Sequence, residues 1–304
     1  MQVATVSSGS IDLFVRSMGE QAAPSLILLH GWPHSSKLFE GVMDELSEDF
    51  FTLAFDLPDV GKSRGSPSSA EKTVIAEIIL DAAEKLGGHS IIIAGLDVGG
   101  MIAFAAARNH GSRIAGAVGM NTVLPGIEPW SKVLTDPRIW HFAFHNIPQL
   151  PETLVDGHQR EYFDFFVNML AANPEAITDT MRDAFAEAYV RPEALKAGFD
   201  WYRAMEADAK TNKRHKRIAT PLLYLRGDAD QRRIVDYLKG LKEAGAENLT
   251  SGVLAHSGEF APLEASEEFV AALKNFGRKC AASNRAGIPE IPPPGVEAPK
   301  PFLS

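Results

Sequence analysis

Gly95-Leu96-Asp97-Val98-Gly99-Gly100 follows the apolar run Ser90-Ile91-Ile92-Ile93-Ala94 and precedes Met101-Ile102-Ala103-Phe104-Ala105-Ala106-Ala107. The first run reads as a buried strand and the last as a helix. A small-x-nucleophile-x-small pattern between strand and helix is a nucleophile elbow. The turn is so sharp that bulky side chains two positions either side of its centre collide, and Gly95 and Gly99 meet that demand. The central residue is usually serine; here it is Asp97. Serine attacks carbonyl carbon, whereas a carboxylate attacks saturated carbon and leaves a covalent ester.

Outward from the elbow, the chain alternates strand and helix. Val3–Thr5 and Ile11–Arg16 alternate like two exposed antiparallel strands. Ser25-Leu26-Ile27-Leu28-Leu29 and Thr52-Leu53-Ala54-Phe55 are continuous apolar runs, as central parallel strands are. Val74–Leu86 has helical spacing, and Ile114–Gly119 is a further strand. After Pro125 the rhythm stops: residues 125–216 are aromatic-rich, helically spaced and without a clear strand. It returns with Pro221–Gly227, a helix over Ile234–Ala244, a strand over Leu249–Leu254 and a helix over Glu267–Phe276. The pattern predicts an α/β fold: a mostly parallel eight-stranded sheet with helices on both faces and an inserted helical cap. The expected division is core 1–124, cap 125–216, core 217–280 and a Pro-rich, extended tail 281–304 carrying Ile288–Pro294.

Composition narrows the partners. The net charge is −9, and Lys213-Arg214-His215-Lys216-Arg217 is the one basic cluster, so no nucleic-acid partner is expected. Cys280 is the sole cysteine, which leaves no disulfide framework and no cysteine zinc site. No metal or cofactor is called for. No apolar run approaches the roughly 18 residues that span a bilayer, and Met1–Thr5 lacks the marks of a signal peptide. The expectation is a cytoplasmic protein without a membrane partner; a homodimer is compatible with the sequence but not required by it.

Three segments join the elbow: His30-Gly31-Trp32-Pro33 after one strand, Asp56-Leu57-Pro58-Asp59-Val60-Gly61 after the next, and Gly258-Glu259-Phe260-Ala261-Pro262-Leu263-Glu264 near the C-terminus. Together they resemble the α/β-hydrolase superfamily, in its epoxide hydrolase and haloalkane or haloacetate dehalogenase branch, over residues 10–278. The resemblance implies an oxyanion hole from the backbone N–H groups of Trp32 and Val98, each contributing about 3 kcal/mol to the tetrahedral oxyanion. Trp140-His141-Phe142 and Trp201-Tyr202-Arg203 resemble epoxide hydrolase lid motifs. By that resemblance Tyr202 and His141 donate hydrogen bonds to the epoxide oxygen, which opens to an alkoxide. His30, Pro33, Trp140 and Trp201 complete the expected substrate-binding set. Dehalogenases match less well, because Val98 and Met101 stand where they place tryptophan or arginine.

The pattern breaks at the base. The branch places a histidine, as Gly-His-Phe, where this chain has Gly258-Glu259-Phe260. His256 lies three residues earlier, about 10 Å of extended chain away. The supporting acid is either Asp230 or, 24 residues beyond Asp97, the neutral Asn121. Three readings stay open: Glu259 is a weak base, the chain has become a pseudo-hydrolase that binds a hydrophobic molecule, or the glutamate was introduced to stall turnover. The resemblance points to an epoxide hydrolase-like enzyme acting on a small apolar epoxide or related electrophile, with an impaired ester-hydrolysis step. A dehalogenase is the alternative within the branch.

Overall fold

The computed structural model describes residues 1–230 and 232–286. Eight strands form one sheet: β1 Gln2–Ser8, β2 Ile11–Met18, β3 Ser25–Leu29, β4 Phe51–Phe55, β5 Ile91–Leu96, β6 Ile114–Met120, β7 Leu222–Gly227 and β8 Leu249–Leu254. Their order is β1-β2-β4-β3-β5-β6-β7-β8. β2 is antiparallel to both its neighbours, and every pairing from β4 to β8 is parallel. The two edge strands, β1 and β8, are largely exposed, whereas β2, expected to be exposed, buries Leu13, Phe14 and Val15.

The central strands are apolar throughout because both faces are covered. In β3, Ile27 and Leu29 belong to one core with Ile75 and Ile79 of the Lys72–Lys85 helix and Ile102 of the Val98–Asn109 helix. Leu26 and Leu28 point the other way, into a second core with Val42, Met43, Leu273 and Phe276. That split is the two-residue side-chain period of a strand.

Seven α-helices stand between β6 and β7: Trp130–Leu134, Trp140–His145, Leu150–Val155, Gln159–Leu170, Asp179–Ala188, Pro192–Arg203 and Met205–Asn212. Their aromatic faces cover the C-terminal ends of the central strands, where a parallel sheet binds its ligands. The last helix runs Ser266–Ala286. Residues 281–286 are therefore helical and not part of an extended tail, which corrects the expected boundary; Ile288–Pro294 lie outside the described residues. Among the described residues, no helix is long and apolar enough to cross a membrane.

Candidate active site

β5 ends at Leu96, and the chain reverses at once into the Val98–Asn109 helix. The residue at the apex, Asp97, has φ 49° and ψ −121°. A positive φ in a non-glycine residue is strained, and such strain is held where the surroundings over-determine it. Here they do. A Cβ on Gly95 would lie 2.2 Å from the Gly99 backbone, and one on Gly99 would lie 2.2 Å from the Leu29 carbonyl oxygen. Glycine at both positions lets the turn close.

The turn aims Asp97 into a cavity of about 50 Å³. The Trp32 N–H donates to its Oδ2 at 2.8 Å, and the Val98 N–H also bonds the carboxylate. Burial pushes the Asp97 carboxyl up to about 6, against the pull of these two N–H groups and of Lys72. The carboxylate is thus desolvated yet cradled, which suits a nucleophile.

On the facing wall stand Tyr202 and His141, their rings 6.0 Å apart and edge to face. The Tyr202 hydroxyl has no hydrogen-bond partner among the described residues, and burial followed by the charge of Asp97 raises it well above its ordinary value. It is a neutral donor without a partner. Burial lowers His141 to about 3, so it too is neutral at pH 7; its Nδ1 is buried without a partner. The floor between them is the Trp32 indole, packed edge to face on Tyr202 at 6.0 Å and near-parallel to His141 at 6.5 Å.

Glu259 shares this cavity with Asp97. Its loop is held from several sides. The Glu259 N–H donates to the Leu170 carbonyl at 3.0 Å. Glu264 accepts from the Gly258 and Phe260 N–H groups at 3.0 and 2.9 Å. No described residue hydrogen-bonds the Glu259 carboxyl. Burial and the charge of Asp97 push it well above the usual carboxylate range, while Arg226 and Arg232 pull the other way.

Several sequence expectations need correction. His256 is exposed and outside the cavity, so it has not moved in for a missing base. Asp230 does not support Glu259: its carboxylate is bound by Arg226 and, at 2.9 Å, by Arg232. Asn121 donates to the Gly258 carbonyl at 2.5 Å and accepts from the Gly227 N–H at 3.0 Å, so it positions the Glu259 loop and not the carboxyl. His30 is a buried brace, with Nδ1 against the Gly31 carbonyl and Nε2 accepting from the Leu57 N–H. Trp201 is buried outside the cavity wall, and Trp140 is 42% exposed on an outer groove of about 630 Å³. Pro33 does line the cavity.

The sequence reading passed over Arg232, which lines the cavity beside Glu259, and Lys72. Lys72 is buried, paired with Asp208 at 2.8 Å and bonded to the Trp201 carbonyl, so it ties the sheet domain to the helix bearing Tyr202. An arginine four residues before Asp230 and another two after it were visible in the sequence as its partners. Nothing in the sequence marks Lys72 as buried. Among the described residues no group of three or more His, Cys, Asp or Glu is placed to hold a metal ion.

The family model described as the alpha/beta hydrolase fold matches residues 24–266. The chain belongs to the α/β-hydrolase fold family. It is 24% identical over 261 residues to a soluble epoxide hydrolase of Corynebacterium sp. (strain C12), covering 83% of this chain and 89% of that one. It is 25% identical over 227 residues to a pimeloyl-[acyl-carrier protein] methyl ester esterase of Nitrosospira multiformis, covering 73% and 82%. Among solved structures, wild-type Cfl2 from Burkholderia cenocepacia superposes with a TM-score of 0.84 at 29% identity, covering 91% of this chain and 95% of that one.

Proposed function

We propose that this chain is an epoxide hydrolase-like enzyme that opens an epoxide through a covalent ester on Asp97. The observation that carries the reading is the pairing of a carboxylate, not a hydroxyl, at the elbow with a partnerless tyrosine hydroxyl lining the same cavity. The relatives support a hydrolase, and their names divide between epoxide and ester substrates. The aspartate favours the epoxide, because carboxylate attack on a carboxylic ester would give only an anhydride, whereas attack on a strained C–O bond gives a stable ester.

In this reading the helical segment 125–216 is a lid. Asp97 attacks the less hindered ring carbon as the ring C–O bond breaks, and Tyr202, with His141 beside it, hydrogen-bonds the departing oxygen. Water then attacks the ester carbonyl carbon. The Trp32 and Val98 N–H groups stabilise the oxyanion that forms. Glu259 is the group available to activate that water; once Asp97 is esterified its repulsion is gone, and Arg226 and Arg232 favour the Glu259 carboxylate and weaken it as a base, so ester formation outpaces ester cleavage. Intact-mass spectrometry after incubation with a panel of small epoxides tests the reading. The protein gains the mass of the epoxide, and Asp97→Asn does not. Bound ligand with neither adduct nor diol would instead mark a binding protein.

A further inference from the structure

In the cavity, the two carboxyl groups have unequal surroundings. Asp97 receives two backbone N–H groups and lies within the influence of Lys72. The Glu259 carboxyl receives none from any described residue. Like charges so placed do not both ionise, and the negative charge settles where the donors are. The pair therefore holds one proton, and Glu259 has it.

Opening an epoxide with a carboxylate consumes one proton: the carboxylate becomes a neutral ester and the ring oxygen, released as an alkoxide, must become a hydroxyl. Hydrolysing the ester returns one proton, because water and ester give carboxylate and alcohol with a proton left over. We propose that Glu259 is the proton carrier for both halves of the reaction, releasing its proton to the opened ring, whose oxygen the Tyr202 hydroxyl holds, and taking one back when water cleaves the ester. This inference rests on the assignment of Asp97 as nucleophile.

The steps balance. The Asp97 oxygen bonds to the ring carbon while the ring C–O bond breaks. The Tyr202 hydroxyl hydrogen-bonds the departing oxygen, and the proton of Glu259 converts that alkoxide to a hydroxyl. The intermediate then holds a neutral ester at Asp97 and a carboxylate at Glu259. That carboxylate accepts a proton from the water attacking the ester, and collapse restores Asp97 as carboxylate, Glu259 as acid and a diol. The pair carries a single negative charge throughout.

The charged and titratable groups facing Glu259 fit this exchange. Asp97, from the elbow, repels its charge until esterified. Arg226 on β7 and Arg232 just beyond it favour the charge, with Asp230 bound between them, and Tyr202 and His141 close the cavity from the helical segment. Two guanidinium groups share the Asp230 carboxylate, which leaves positive charge in excess where the Glu259 carboxylate appears.

The test is proton stoichiometry in a single turnover. Wild-type protein near pH 7.5 is mixed rapidly with excess epoxide in weak buffer containing an indicator dye, while parallel quenched samples measure ester by mass. The expected result is ester formation without proton uptake in the wild type, and uptake of one proton per ester in Glu259→Gln. Uptake of one proton per ester by the wild type overturns the proposal while leaving Asp97 as nucleophile. If no ester forms and diol still appears, the nucleophile assignment fails and the proposal fails with it. The wild-type measurement decides even if the variant does not fold.

Discussion

Replacing Asp97 with asparagine removes a buried charge while keeping the side chain's shape, so its effect on stability must depend on pH. A carboxyl whose folded pKa is raised costs stability as pH climbs from the unfolded value through the folded one, and the full cost stands above the folded value. For Asp97 the window runs from 3.8 to about 6. That rise corresponds to about 3 kcal/mol, at roughly 1.4 kcal/mol for each tenfold change. Because the unfolded carboxyl is already more than half ionised at pH 4, about 2.4 kcal/mol of this falls between pH 4 and pH 8. Relief of the repulsion on Glu259 acts in the same direction. Asp97→Asn should therefore gain about 2–3 kcal/mol on the wild type between those pH values, whatever constant difference the substitution adds. Urea unfolding of both proteins at unit steps from pH 4 to pH 8 measures it. A stability difference that stays flat across the range would show that the cavity does not oppose ionisation of Asp97, and the desolvated-nucleophile argument would fail.

Two further predictions follow the donors and the base. Tyr202→Phe should slow ring opening by roughly 10²–10⁴-fold, the range for a lost general acid, and adding His141→Ala should slow it further; rapid-quench mass spectrometry gives both rates, and an unchanged rate in the double variant removes the helical segment from the chemistry. Glu259→His should accelerate ester cleavage by less than about tenfold in spite of its better-matched pKa, because Arg226 and Arg232 hold the one carboxylate, Asp230, that could orient the ring. A hundredfold gain in steady-state turnover would show that Asp230 is free to turn.

Most of the architecture was legible because strands and helices leave periodic marks, and the glycines at 95 and 99 mark a turn that few other residues permit. The side chains were less legible, for a physical reason: residue type names a chemistry but not a direction. His30 and Trp201 belong to motifs yet face inward as braces. Asp230 stands where a supporting acid was expected, but two flanking guanidinium groups claim it. Asn121 holds a carbonyl, not a base. Glu259 lines the cavity and His256 does not, because the Glu264 and Leu170 hydrogen bonds carry the backbone at 258–260 toward the site. Its proton could not be read from spacing, because that depends on which carboxyl receives the backbone N–H groups.

The covalent ester on Asp97 has one direct signature. In a single turnover in ¹⁸O-water, the hydrolytic water attacks the Asp97 carbonyl carbon, so the label must appear in the Asp97 side chain while the diol carries the unlabelled carboxylate oxygen. Peptide mapping locates the label, and mass spectrometry of the diol accounts for the rest. Label in the Asp97 peptide and none in the first-turnover diol is the predicted result. Label in the diol with an unlabelled Asp97 would mean that water opens the ring directly, and the ester mechanism would be wrong.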